Sequence, residues 1–539
     1  MGSKSGIQTI SESVKILALS LVAILCVCPF SGQINDAQIT GKWIYAGMAF
    51  FSMVIIVLII DAFACTDVGV NSDCTITFAI PFMLSGLVVT IHALLQITGL
   101  VTARNANGYN VLAGFDNPAG VASALSVSLP FVLALVDRVK SKWTKVAILV
   151  LIFCVVIMIL SIARSRVGLL AAGAVLIMYV GYRVKDVRAR WASSAILIII
   201  VLTAVVYMSF LKRGSNSGRA LILGVCWDMF KDAPLFGHGL HGFRSQYMIY
   251  QANCLDGCNS SVLPMLAGNT THPLNEYALV AVNFGLLGLC ILVAGIIYTV
   301  RHYLASPNGK SYYGIMVLTV IGVLSLFSYP FRYPLTLLGL LCSLLLVYSD
   351  VITGFGYKAL NLSRILLSVL SCVGLVLLAI WSYSQVQWGR LSAMYDSGGN
   401  TKEVLEGYSR LYPKLKRDPF FLYNYAYVLS EEGDCNLASR LADDSFRLMS
   451  NYDTALLIAD NAKECGDVGM AEINYQLASR MCPVRFKPLY GLFLLYKETG
   501  RVDEMKAVAE IILTKPVKVS SFEIRRIKMD VRQVMDDPN

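Results

Sequence analysis

Eleven apolar stretches, near 14–31, 43–60, 76–100, 118–136, 144–161, 167–182, 193–211, 277–300, 312–328, 335–349 and 364–384, fill the first 384 residues of this chain. Each approaches the ~20 residues that a helix needs to cross ~30 Å of hydrocarbon. A backbone in lipid must satisfy its own hydrogen bonds, so the pattern predicts an all-α, polytopic membrane helix bundle of about eleven transmembrane helices. With 56% hydrophobic residues and a mean hydropathy of +0.62, a soluble globular class is excluded. The first stretch has the length of a signal peptide's apolar core. Cys28-Pro29-Phe30-Ser31 lacks the small residues of a cleavage site, so it is read as a membrane helix.

One long polar segment, residues 212–272, interrupts the apolar pattern and ends in His272-Pro273-Leu274-Asn275-Glu276-Tyr277. It carries Arg219, Lys231, Arg244, His238, His241 and His272, with five basic residues against three acids, Asp228, Asp232 and Asp256. Charged groups beside a bilayer are costly unless they face water or a ligand. This loop is therefore where chemistry is expected, on an anionic substrate.

Lys and Arg collect in the N-terminus and around 138–145, 183–190, 301–310 and 358–364. Positive charge marks the cytoplasmic side, so the N-terminus is placed inside. The loop at 61–74, which has acids only, is the exception. An odd span count then sends both the 212–272 loop and everything beyond 385 to the opposite side, the periplasm in a bacterium. The expected division is a membrane domain over 1–384 and a soluble periplasmic domain over 385–539. Residues 1–384 hold 24 Lys and Arg against 13 Asp and Glu, and the remainder hold 21 against 22. The soluble part thus has no basic excess, and nucleic-acid binding has no support.

Most of the fourteen cysteines lie in apolar spans and read as small hydrophobes. Cys254 and Cys258, four apart on the loop, are expected to form a disulfide in an oxidising compartment, ahead of two free thiols. No second Cys/His pair has metal spacing, and no metal or other cofactor is expected.

After residue 400, Gly433-Asp434, Gly466-Asp467 and Gly500-Arg501 recur 33 and 34 residues apart. Each is followed by a helix with small residues on one face, such as Ala438 and Ala442, or Ala471 and Ala478. Pro483 and Pro516 close second helices, and residues 520–534 read as a terminal capping helix. A 34-residue helix–turn–helix period is that of tetratricopeptide repeats. Such arrays most often bind partners, which gives the tail an expected protein partner.

Arg stays charged and grips phosphate oxygens with a planar fork, which makes certain arginines conspicuous. Arg164 and Arg166 sit in a tight hairpin, Ser161-Ile162-Ala163-Arg164-Ser165-Arg166-Val167-Gly168, on the translocated side, against the positive-inside rule. Snorkelling at the interface is the plain alternative. Arg219 precedes an amphipathic stretch, Leu221 to Phe230, expected to lie along the membrane. Arg332 occupies another short turn, Tyr329-Pro330-Phe331-Arg332-Tyr333-Pro334.

Three stretches together resemble the O-antigen ligase superfamily, which includes O-antigen polymerases and protein O-oligosaccharyltransferases. They are Gly114-Phe115-Asp116-Asn117-Pro118, Ser165-Arg166-Val167-Gly168, and a third running from Ser217-Gly218-Arg219 through Pro234-Leu235-Phe236-Gly237-His238-Gly239-Leu240-His241-Gly242 to Asn275-Glu276-Tyr277 and Gly285. The resemblance covers roughly residues 100–345, and only the third stretch is specific. It implies a GT-C-type glycosyltransferase that moves a glycan from undecaprenyl pyrophosphate to an acceptor hydroxyl at the periplasmic face, without a metal. Ligase-like transfer to a glycolipid or protein O-glycosylation is expected first, the tail tilting the choice toward a protein or protein-borne acceptor; polymerisation of a glycan is the alternative, and the remaining contacts are with membrane lipids.

On that reading Arg166 and Arg219 clamp phosphates, with Arg164 and Arg332 as further pyrophosphate contacts. His272 or Glu276 takes the acceptor's proton, and His238, His241, Asn275 and Tyr277 position acceptor or loop. One departure matters. The family places His directly before Asn, where this chain has Leu274, so His272 is the nearest substitute. A capping or surface role is the plain alternative for His272. From other classes, a lipid-glycan transporter would be expected to show repeated halves, which are absent from the sequence. A non-catalytic scaffold for envelope assembly would not require Arg166 and Arg219.

Overall fold

A computed structural model describes residues 2–30, 34, 36, 38–63, 74–103, 108–211, 213–256, 263–353 and 357–536. Its helices run in the order α1 (Gly2–Leu25), α2 (Thr40–Phe63), α3 (Cys74–Ile97), α4 (Pro118–Val136), α5 (Lys142–Ile162), α6 (Arg166–Arg183) and α7 (Val187–Leu211). Then come α8 (Arg213–Asp232), α9 (Gly242–Asp256), the single turn α10 (Leu263–Leu266), α11 (Glu276–Ala305), α12 (Gly309–Phe327), α13 (Pro334–Val347), α14 (Ser349–Thr353) and α15 (Tyr357–Asp396). The tail adds α16 (Thr401–Leu415), α17 (Pro419–Glu431), α18 (Cys435–Leu448), α19 (Tyr452–Glu464), α20 (Val468–Met481), α21 (Lys487–Glu498), α22 (Val502–Thr514) and α23 (Phe522–Asp536). All regular structure among the described residues is helical, and each expected apolar span coincides with a helix. Among the described residues, eight helices are long and apolar enough to cross a membrane, against the eleven spans expected: α2 to α6, α11, α12 and α15. α13 is apolar but shorter. The chain is a multi-pass membrane protein whose described regular structure is all helical.

The helices divide into two compact units, and the division falls inside α11 and α15. Residues 1–211 and 292–389 make the first. Its centre is α4, 83% buried over its apolar window, packed against α3, α6, α12 and α13. Asn117 starts α4 by accepting a hydrogen bond from the Ala119 amide at 2.6 Å, and Pro118 pre-sets the first turn. Small residues allow the close approach: a Cβ on Gly339 would lie 2.5 Å from Val127, and one on Gly168 would lie 2.9 Å from Ala122.

The second unit joins residues 212–291 to 390–539. The sequence division at 384 separates the loop from the tail, whereas here they share a core. Val225 and Met229 of α8, Tyr247 and Met248 of α9 and Val282 of α11 pack with Tyr452 and Ala455 of α19 and Ala478 and Met481 of α20. α17 to α22 form three antiparallel pairs at the expected period. Gly433, Gly466 and Gly500 take φ of 81°, 79° and 69° at the turns, which a side chain would disfavour. A disulfide, Cys435–Cys465, ties the first of these turns to the second. The expected Cys254–Cys258 bond lies outside the described residues, because Cys258 does.

Candidate functional site

Four local structures carry the residues singled out in the sequence. The first is the start of α6. Ser165 caps the helix, accepting from the Gly168 amide at 3.3 Å, which explains the Ser-x-x-Gly spacing. Arg166 occupies the first helical position and is 9% exposed. The positive end of a helix dipole disfavours a cation there, so helix formation does not account for this arginine. Arg164 is exposed and has a left-handed backbone, φ 54°.

The second structure is a break in α11, filled by the glycine-rich loop. Gly285 interrupts the helix with φ 60° and ψ −154°. Into the break fits the segment 234–242. The amides of His238 and Gly239 donate to the carbonyls of Val282 and Asn283, both at 2.9 Å, while those of Leu286 and Leu287 donate to Pro234 and Leu235 at 2.8 and 3.1 Å. Asn283 completes the clasp, accepting from the Phe243 amide and donating to the Leu240 carbonyl, each at 3.0 Å. A Cβ on Gly237 would lie 2.4 Å from the Asn283 backbone, and one on Gly285 would lie 2.6 Å from that of Leu235. These glycines are required by backbone-to-backbone contact. His238 belongs to the same scaffold: its Nε2 lies 2.7 Å from the Met229 carbonyl, which only accepts, so Nε2 carries the proton. His241 is exposed.

The third structure is the turn into α11. His272, Pro273 and Leu274 are non-helical, and Asn275 caps the helix by accepting from the Ala278 amide at 2.9 Å. Glu276 stands in the first turn, where the dipole favours a carboxylate, and Tyr277 follows it. Leu274 has φ 57°, a conformation costing a non-glycine residue about 1–3 kcal/mol and held only by its surroundings. Strain thus sits at the position where the family pattern has its histidine. Because the turn is irregular, residues 272 and 274 are not held to the opposed directions they would take in a helix. Arg219 lies on α8, half-buried, on the helix whose Leu221 and Val225 enter the core that holds Val282.

The fourth lies in the first unit, around Arg332. Its guanidinium stands 3.9 Å from Asp36 and 3.6 Å from Asp116, with Tyr329 beneath it. Tyr333 donates to Asp116 at 2.9 Å, Asn117 bonds Tyr329, and fully buried Lys42 donates to the Gly114 carbonyl at 2.6 Å. The Gly114-to-Pro118 motif therefore anchors the entrance to α4. Arg332 faces two carboxylates, which any anion would have to displace.

The sequence residues are thus shared out. Arg164, Arg166 and Arg332 belong to the first unit; Arg219, His238, His241, His272, Asn275, Glu276 and Tyr277 belong to the second. The sequence reading did not anticipate Asn283, Gln251, Asn269 or the Asp36–Arg332–Asp116 group. Only Asn283 had a hint, two residues before a glycine of the motif. Among the described residues, no group of three or more His, Cys, Asp or Glu is arranged to hold a metal ion.

The sequence model of the O-antigen ligase family matches residues 149–293. The match begins in α5 and ends in α11, so it contains the capped start of α6, the clasped loop and the turn at 272–276. It covers about a quarter of the chain, leaving out the Arg332 group and the tail. No curated protein matches the chain. The similarity supports a glycan-transferring membrane enzyme in general.

Proposed function

We propose that the protein transfers a glycan from an undecaprenyl-pyrophosphate-linked donor to an acceptor hydroxyl at the periplasmic face of the bacterial inner membrane. One observation carries this reading: the region resembling O-antigen ligases is the one in which the glycine-rich loop clasps the broken α11 below the His272–Glu276 turn. Such a clasp builds a rigid mount for irregular backbone at the mouth of a membrane helix. The strained Leu274 sits on that mount.

The acceptor oxygen attacks the anomeric carbon, the bond from that carbon to the phosphate oxygen breaks, and undecaprenyl pyrophosphate leaves with the electron pair. Arg219 and Arg166 stabilise the charge that develops on the leaving group. His272 accepts the acceptor's proton, with Glu276 as the other carrier within the same turn. Arg164 is the outer, solvent-facing contact. His238 and Asn275 hold the loop and the helix start, and His241 and Tyr277 contact the acceptor.

The Cys435–Cys465 disulfide favours an oxidising compartment for the tail, which agrees with the orientation expected from charge. Because the tail packs against the loop of its own chain, its presence gives no reason to prefer a protein acceptor over a glycolipid or a growing polysaccharide. An in vitro reaction with a lipid-pyrophosphate-linked glycan and each acceptor class tests the proposal, and no transfer to any class overturns it. His272→Ala should abolish transfer while donor binding persists, and Leu274→His in that background should restore part of it. An impermeant thiol reagent should label Ser397→Cys in intact spheroplasts; labelling only after lysis would relocate the tail.

A further inference from the structure

A repeat domain is expected to offer its surface to a partner, yet here part of that surface is taken by the same chain. α9 lies against α18 and α20, where the Ser450 amide donates to the Arg244 carbonyl at 3.0 Å and Arg244 Nη2 meets Met449 Sδ at 3.4 Å. At the centre is Gln251, fully buried on α9. Its Oε1 accepts from the Tyr247 hydroxyl at 3.0 Å. Its Nε2 donates twice, to the Gly268 carbonyl at 3.0 Å and to the Met481 carbonyl at 2.8 Å. One amide thus uses both donor hydrogens to fasten the last residue of α20 to a loop residue four positions before His272.

The next loop residue is also held by the tail. Asn269 Nδ2 donates to Asp453 Oδ2 at 3.0 Å, and its Oδ1 accepts from the Tyr452 amide at 3.4 Å, so it grips the first turn of α19. Lys518 donates to the Met265 carbonyl, and the Thr270 amide points at Met248 Sδ at 3.4 Å. Besides the Ala267 amide's bond back to the Leu263 carbonyl and the packing of α10 on α8, segment 265–270 is held by α9 and by the tail, and only Thr271 then precedes His272.

We infer that the tail is an internal positioning element for the His272–Glu276 turn, with Gln251 and the Asn269–Asp453 pair as its positioning residues. The inference rests on the glycan-transfer reading for its catalytic consequence, but not for the fastening itself. The physical stake is geometric. A displacement of about 1 Å at a reacting group costs on the order of a hundredfold in rate. A turn held at 268 and 269 on one side and by the Asn275 cap on the other has little room to drift.

Gln251→Leu in the full-length protein should release the turn, but it leaves two buried carbonyls without their donor and can compromise folding. The deciding variants are therefore on the surface. Asn269→Asp sets two carboxylates against each other; adding Asp453→Asn restores an amide–carboxylate pair with the roles exchanged. In Asn269→Asp, hydrogen exchange of amides 266–275 should quicken roughly tenfold, and kcat should fall roughly tenfold at unchanged donor KM. The double variant should return both towards wild type. Exchange that does not respond, or exchange that responds while kcat stays at the wild-type value, overturns the inference. If the wild-type protein transfers nothing, the glycan-transfer proposal fails, and the exchange measurements still decide whether the tail holds the turn.

Discussion

On α5 of the first unit, Trp143, Val150 and Leu151 are 83%, 57% and 63% exposed, whereas on α19 of the second, Leu457, Ile458 and Ala459 are 6%, 6% and 0% exposed. The difference is one of solvent. Lipid tails are as apolar as leucine, so the bundle gains nothing by hiding such side chains and coheres through small residues and satisfied polar groups. Gly86 against Ser128 and Gly168 against Ala122 are the first kind of contact. The second kind surrounds Asp137, which receives hydrogen bonds from Tyr179 and Tyr313 and pairs with Arg183 and Lys145. The second unit follows the opposite rule. Along α19 to α23 many apolar residues are gathered into a core, while the Arg410–Glu406 and Lys487–Glu523 pairs stay in water, where each contributes about 0–1 kcal/mol.

The largest effect expected is at Arg166 of the first unit and at Arg219 of the second, each taken by itself. Arg166→Lys and Arg219→Lys should each be nearly as damaging as the alanine variants, because a point charge does not reproduce a bidentate grip. Each should cost about 2–4 kcal/mol of transition-state stabilisation, read as kcat/KM in membranes with normal insertion. Loss at Arg219 alone would confine the chemistry to the loop and tail.

The disulfide separates the units by stability rather than by rate. Cys435 and Cys465 are 30 residues apart, and opening that loop should cost the tail about 2–4 kcal/mol. Proteolysis during heating should show the tail of Cys435→Ser cleaved at lower temperature and the bundle unchanged. A bundle that weakens equally would mean that the two unfold together.

Two glycine substitutions sharpen the contrast between a clasp and a turn. Gly285→Ala places a Cβ against the Leu235 backbone at a positive φ, so it should destabilise the second unit by about 1–3 kcal/mol and depress activity. Gly433 has equal φ freedom but open space around it, and Gly433→Ala should cost about 1 kcal/mol with activity retained. Thermal aggregation of the detergent-solubilised protein gives both values, and equal shifts would remove the clasp from the explanation.

The parts legible in sequence were those governed by a single local demand. A span must supply contiguous apolar residues, and a repeat turn must supply a left-handed residue, so the apolar helices and Gly433, Gly466 and Gly500 could be found from residues alone. The Ser165–Gly168 cap is equally local. Pairings across distance were not legible. Nothing in Pro234-Leu235 says that its carbonyls fill a break at Gly285, and Arg332 gives no sign of Asp36. Nothing in their spacing marks Cys435 and Cys465, among fourteen cysteines, as a disulfide pair. The repeat period was visible, but Gln251, a lone polar residue on a short helix, carried no mark of its two carbonyl partners.

The smallest effect expected belongs to the end of the tail, where water-phase electrostatics is tuned by burial. Lys515 and Lys528 hold their ammonium groups over the same Phe486 ring, at 4.9 and 5.5 Å. Lys515 also donates to the Arg485 carbonyl at 2.7 Å. Burial, with Lys528 nearby, lowers the Lys515 pKa to about 8. An unfolded lysine titrates near 10.4. Between these values the unfolded chain binds the proton that the folded chain has lost, so stability rises as pH climbs from about 8 to about 10.4. Below pH 8 both forms are charged, and the folded one carries the burial cost. Lys515→Met removes the titration, so the difference in tail melting temperature between wild type and Lys515→Met should narrow from pH 7.5 to pH 9.5. A constant difference would show that the ammonium reaches water, and that this corner of the tail is no drier than its exposed salt bridges.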